Sequence, residues 1–181
     1  MTQTISSFAL TYKGAVTAAM VQLADNPRIV FVGQNVLYPG HVIYETLAFV
    51  PKERRIEVPV FEETQTGIAT GLALAGYIPV SVYPRMDFLT LAVNQLVNHL
   101  DKLREMSQGQ FQPHVIIRTM LGNTEPLHPG PQHCQNHIEA FRLLLKHTLV
   151  LTPTTPHQVI VAYKQALEAR QPVMVVEQPY R

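Results

Sequence analysis

The sequence predicts an α/β fold: a mainly parallel sheet of about six strands, covered by helices on both faces in a three-layer α/β/α arrangement. Three observations predict it. Short, unbroken runs of β-branched and apolar residues recur along the chain, as in Ile29-Val30-Phe31-Val32, Val115-Ile116-Ile117 and Leu149-Val150-Leu151, and such runs suit strands buried on both faces. Helical patterns separate most of them, which is what a crossover between parallel strands requires. Hydrophobic residues make up 46% of the 181 residues and charged residues 15%, enough apolar material for one sizeable core and too little charge for a disordered chain.

Taken in order, residues 12–24 place small and apolar side chains at helical spacing, and Asp25-Asn26-Pro27 stops the helix. The run 29–32 is a strand ending at Gly33, and Tyr38-Pro39-Gly40 is a turn. Residues 57–60 read as extended and lead to Glu62 and Glu63, which open a helix to Ala75; acids in a first turn suit the helix dipole, and Gly76 suits the helix end. A strand follows over 78–83, then a long helix over residues 87–106. After the strand at 115–117, residues 120–135 contain Gly122 and the run Pro129-Gly130-Pro131, which reads as a long loop of the kind that carries function. A helix begins at Asn136 or His137, a strand spans 149–151, a helix 156–169 and a last strand 173–176.

Composition excludes several function classes. Lys and Arg total 14 against 13 Asp and Glu, a net charge of +1 that draws no phosphate backbone from a distance, so no nucleic-acid partner is expected. The dense basic cluster Lys52, Arg54, Arg55 reads as a solvated loop or helix end. The single cysteine, Cys134, cannot form an internal disulfide, and residues 1–9 carry no leader pattern. No run approaches the roughly 20 apolar residues of a membrane span, so no membrane partner and a cytoplasmic location are expected. No GxGxxG or GxxxxGK[ST] follows a strand, which removes dinucleotide and P-loop readings.

Parallel sheets of this kind bind ligands beyond the carboxyl ends of their strands. Glu62 stands at such a strand-to-helix junction within Pro59-Val60-Phe61-Glu62, where a carboxyl can enter a crevice or simply satisfy the helix dipole; Glu63 fits the second role. Gly67 and Gly71 share one face of the helix that follows, and glycine inside a helix costs roughly 1 kcal/mol against alanine. Two of them indicate close approach of another backbone, either within the domain or across an interface between chains. On its own Phe88 reads as a core aromatic, and His99 as a structural residue of a helix. His128, His133 and His137 are not read as a metal site, because only 133 and 137 have helical spacing and no HExxH or carboxylate partner accompanies them.

The order and spacing of these segments resemble the pyrimidine-binding domain of transketolase-like thiamine-diphosphate enzymes, in particular the beta subunit of 2-oxo acid (pyruvate and branched-chain) dehydrogenases. Pro59-Val60-Phe61-Glu62 with the later glycines is similar to that family's Pro-Ile-Ser-Glu segment. Met86-Asp87-Phe88 and the run 94–99 resemble its following helix, Gln132-His133-Cys134-Gln135 its Gln-His-Ser-Gln loop, Thr152-Pro153-Thr154-Thr155-Pro156 the turn before its last helix, and residues 172–177 its closing strand. The resemblance covers residues 10–181 and implies that 1–181 is a single pyrimidine-binding-type domain.

It also implies roles. Thiamine diphosphate must present its aminopyrimidine in the imino form, which a carboxyl hydrogen-bonded to the ring nitrogen favours; Glu62 matches that glutamate. Phe88 matches the aromatic stacked on the ring, an arrangement that adds about 0.5–1.5 kcal/mol beyond area burial. His133 matches a histidine that faces the reacting group and handles protons or acyl transfer. Gly67 and Gly71 fall on the interface helix. The implied partner is an alpha-type chain that binds the diphosphate through magnesium held by a Gly-Asp-Gly…Asn motif, which is absent here, so no metal site is expected on this chain. A homodimer or a heterotetramer is expected, with a small 2-oxo acid as substrate.

The chain also departs from the family. Gly33-Gln34-Asn35-Val36 carries amides where the family has acids, and an amide keeps the hydrogen bonding but cannot relay a proton. Arg85 stands where an apolar residue is usual, and the family's second, C-terminal domain is not expected in a chain that stops at Arg181. The leading expectation is a subunit of a split thiamine-diphosphate enzyme, inactive alone. The alternative is a non-catalytic relative kept as a binding or regulatory module. A blander third is a self-associating domain with no ligand.

Overall fold

The computed structural model describes residues 11–125 and 128–180; residues 1–9, read above for a leader, and Pro126 and Leu127 within the long loop lie outside the described residues. Six strands form one sheet in the order β2-β1-β3-β4-β6-β5, and every pairing is parallel. The strands are β1 (Ile29–Gly33), β2 (Arg55–Glu57), β3 (Ile78–Tyr83), β4 (Ile116–Met120), β5 (Leu149–Leu151) and β6 (Val173–Glu177). Strands β1, β3, β4 and β6 are buried throughout, which is why they appear in sequence as continuous apolar runs rather than alternating ones.

Helices cover both faces. On one, α1 (Tyr12–Ala24), α2 (Val42–Thr46) and α7 (Pro156–Glu168) enclose a core of Val16, Met20, Phe31, Ile43, Leu47, Val80, Val159 and Tyr163. On the other, α3 (Glu62–Leu74), α4 (Met86–Leu89), α5 (Leu103–Met106) and α6 (Ile138–Leu144) lie along a chain path that buries Ala69, Met86, Leu96, Leu100, Ile117, Phe141 and Met174. Caps follow local chemistry. Thr11 accepts from the Gly14 amide at 3.0 Å to open α1, and Thr155 with Gln158 forms a capping box at α7. Past the end of α3, Gly76 adopts φ +94°, a conformation that costs glycine little.

Three local expectations are corrected. Strand β2 is Arg55–Glu57, set before the expected 57–60, with Arg55, Ile56 and Glu57 in register with Phe31, Val32 and Gly33 of β1. Arg55, placed above among solvated charges, is 6% exposed, donates to the Val36 carbonyl at 3.2 Å and lies over the Tyr44 ring. The long helix expected over 87–106 is broken into α4, a 3-10 turn (Thr90–Ala92), a π-helical turn (Gln95–Leu100) and α5. Distant partners cause the break. The buried Asp101 carboxylate accepts from the Lys146 and His147 amides at 3.0 and 2.9 Å and from the Thr148 hydroxyl at 2.8 Å, while Leu96 and Leu100 are held in the core. The wider turn satisfies both demands.

Candidate functional site at the carboxyl ends of the strands

Because all six strands run the same way, the segments after β1, β2, β3 and β4 emerge on one edge of the sheet. Those segments carry Gln34, Glu62, the Arg85–Phe88 stretch and the loop holding His133.

Glu62 is the first residue of α3 and is 4% exposed. The helix is fastened to β3 directly beneath it. Gln65 donates to the Ser81 hydroxyl at 3.2 Å and the Val82 carbonyl at 2.9 Å; Thr66 pairs with the Tyr83 hydroxyl at 2.6 Å, and Ser81 reaches that hydroxyl at 3.0 Å. Burial, with Glu62 nearby, pushes the Tyr83 hydroxyl up to about 12 despite its bonds to Ser81 and Thr66. Gln65, Thr66, Ser81 and Tyr83 were not among the expected site residues; the sequence signal for the first two is that Glu62, Gln65 and Thr66 repeat at helical spacing at the start of a helix that follows a strand end.

Among the described residues the Glu62 carboxylate accepts a single side-chain hydrogen bond, from Gln34 Nε2 at 3.3 Å. An amide at position 34 is thus a fixed donor to Glu62, where an acid would be a second acceptor. Its neighbour Asn35 adopts φ 58°, and Glu57 holds that turn by accepting the amides of Asn35, Val36 and Leu37, each at 2.7 Å. The two amides that depart from the resemblance therefore have places in the structure: one faces Glu62, the other turns the chain.

Phe88 is not a core aromatic. It is 36% exposed on α4, and its ring meets the His133 imidazole edge to face, with centroids 5.2 Å apart and planes at 80°. Phe88 and His133 are thereby brought together although 45 positions separate them in sequence. The His133 loop is built against Gly122: a Cβ there would stand 1.6 Å from the His133 carbonyl oxygen. Only a glycine admits that approach. Among the described residues the buried His133 Nδ1 has no hydrogen-bond partner, and neither has the buried Asp87 Oδ2.

Gly67 and Gly71 lie apart from this cluster, along α3. A Cβ at Gly67 would meet Gln95 Oε1 at 3.8 Å, and one at Gly71 would meet nothing within 4 Å. Packing inside the chain does not account for Gly71. Glu63 is exposed and accepts from Asn94 at 2.8 Å. Among the described residues no group of three or more His, Cys, Asp or Glu converges as a metal site, and no helix is long and apolar enough to cross a membrane.

A doubly covered, all-parallel sheet with a buried acid, an exposed aromatic and a histidine at its strand ends defines a three-layer α/β/α domain. The chain belongs to the transketolase pyrimidine-binding domain family, whose model matches residues 9–179. It is 28% identical over 159 residues to the pyruvate dehydrogenase E1 component subunit beta of Chlorokybus atmophyticus, covering 86% of this chain and 47% of that protein. It is 28% identical over 176 residues to the 3-methyl-2-oxobutanoate dehydrogenase subunit beta of Mycobacterium tuberculosis, covering 93% and 49%. Among solved structures, a split-gene transketolase described as an inactive beta4 tetramer shares the fold with a TM-score of 0.63 at 20% identity, over 94% of this chain and 52% of that one. The chain spans about half the length of the relatives it matches.

Proposed function

We propose that this chain is one pyrimidine-binding domain that supplies the pyrimidine side of a thiamine-diphosphate site, in an enzyme acting on a 2-oxo acid and completed by a second chain that binds the diphosphate and its magnesium. The observation that carries this reading is the buried Glu62 carboxylate, with one hydrogen bond of its own, on the same sheet edge as the exposed Phe88–His133 pair. The residues fit the cofactor. Glu62 keeps acceptor capacity free for a ring nitrogen, Phe88 leaves part of its ring open for stacking, and His133 has an unpaired ring nitrogen.

When bound, thiamine diphosphate supplies the nucleophilic carbon and electron sink for decarboxylating a 2-oxo acid. In this reading Glu62 exchanges a proton with the pyrimidine ring nitrogen, and Gln34 keeps the carboxylate in place. Phe88 orients the ring, and His133 gives or takes a proton at the substrate. The exposed Gly71 face of α3, with Ile68 38% and Leu74 49% exposed, supports an interface in a homodimer or heterotetramer. The lone Cys134 is consistent with work in the cytoplasm. A second reading, a binding module without turnover, is favoured by the amides at Gln34 and Asn35, which cannot relay protons.

The test is calorimetric titration of thiamine diphosphate with magnesium into the chain, alone and mixed with a chain carrying the Gly-Asp-Gly…Asn motif. Binding only in the mixture, lost in Glu62→Ala, is the expected result. Equal binding by Glu62→Ala, or none with a folded partner, sinks the proposal. Binding without 2-oxo acid turnover selects the second reading.

A further inference from the structure

The loop that carries His133 has little backbone structure of its own: one 3-10 turn, Pro131–His133, with the His133 amide on the Gly130 carbonyl at 3.1 Å. Side chains from the start of α4 hold it instead. Arg85 Nη1 donates to the His133 carbonyl at 3.2 Å. Asp87 Oδ1 accepts the Gln135 backbone amide at 2.9 Å and its side-chain amide at 3.3 Å. From the other side the loop rests on Gly122, and the Cys134 thiol donates to the Asn123 carbonyl at 3.4 Å. The segment that presents Phe88 thus also grips the loop on both sides of Cys134.

We infer that Arg85 and Asp87 are positioning residues that together fix the His133 imidazole for its proton transfer, an inference that rests on the function proposed above. Among the described residues the buried His133 Nδ1 has no hydrogen-bond partner, and its ring stands against Phe88, so the loop that Arg85 and Asp87 hold presents an imidazole whose hydrogen-bonding capacity is unspent. Arg85, unexpected in the family pattern, supplies a planar donor that an apolar residue at that position lacks.

The experiment uses the full chain and its assembly with the diphosphate-binding partner, in Arg85→Met, Arg85→Lys, Asp87→Ala and Asp87→Asn. In the chain, amide exchange at His133 and Gln135 quickens by about tenfold or more in Arg85→Met and Asp87→Ala. In the assembly kcat falls about tenfold to a hundredfold with KM little changed, and the histidine limb of the pH profile moves. Arg85→Lys and Asp87→Asn, which keep a donor and an acceptor, recover most of both. Unchanged exchange overturns the inference, as does quicker exchange with unchanged kcat and pH profile. Should Asp87→Ala fail to fold, Arg85→Met, a half-buried side chain outside both cores, decides alone. An unaltered assembly with no turnover overturns the function proposed above, whereas an active one whose loop exchange ignores Arg85→Met overturns the clamp.

Discussion

Two buried glutamates, Glu177 and Glu62, differ in how fully their carboxylates are engaged. Glu177, at the end of β6, is 0% exposed and fully engaged: Arg118 Nε and Nη2 reach it at 2.9 and 3.3 Å, and the hydroxyls of Tyr163 and Tyr180 donate to it. Despite its burial Arg118 is held well above its ordinary range by Glu177, while burial raises both tyrosines. Arg118 also donates to Thr46 at 2.8 Å, so the cluster joins β4, β6, α2 and the chain end. Glu62 is buried almost as deeply and has one side-chain donor, Gln34. Burial is common to both acids; unfilled acceptor capacity among the described residues is what separates Glu62, and the role proposed for it rests on that difference.

That contrast can be broken in order of size. Glu177→Gln should destabilise the fold most, by about 3–5 kcal/mol in denaturant unfolding, because it strands the buried Arg118 charge. A loss below about 1 kcal/mol would mean the cluster is not the anchor described. Next is Gly122→Ala, whose Cβ has no room beside the His133 carbonyl; it should cost about 1–3 kcal/mol and displace the His133 loop. Unaltered chemical shifts at 131–135 in that variant would contradict the close approach.

A smaller effect is expected from pH. Burial lowers both His41 and His114 from their ordinary 6.5, with Arg85 and Arg118 adding to the shift at His41. Each fold therefore favours the neutral ring, so their contribution is present above 6.5 and is lost as pH falls through the lowered values. At the other end, Tyr83 is raised, so its contribution is full below 10 and lost as pH rises towards about 12. Urea midpoints across pH should form a plateau between these limits; a midpoint that increases as the pH is lowered below 6 would reverse the sign assigned to the histidines. The smallest effect on stability belongs to Glu62→Gln, about 1 kcal/mol or less, since it removes one hydrogen bond at 3.3 Å. A loss as large as that of Glu177→Gln would erase the distinction between the two acids.

The sequence by itself determined the layered α/β architecture, the boundaries of α1 and β3, and the placement of Glu62 at a helix start, because these follow from hydrophobic runs, caps and turn residues within a few positions of one another. The expectation that Glu62, Phe88 and His133 form one group rested on the family pattern, since nothing local to Phe88 distinguishes an exposed ring from a core one. Tertiary structure alone decided that Phe88 and His133 meet, that Arg85 and Asp87 grip the intervening loop, that Arg55 is buried, and that residues 87–106 break at a π turn. Each of these is set by partners far along the chain. Asp101 answers to 146–148 and Asp87 to Gln135, and those demands outweigh the local helical preference that the sequence expresses.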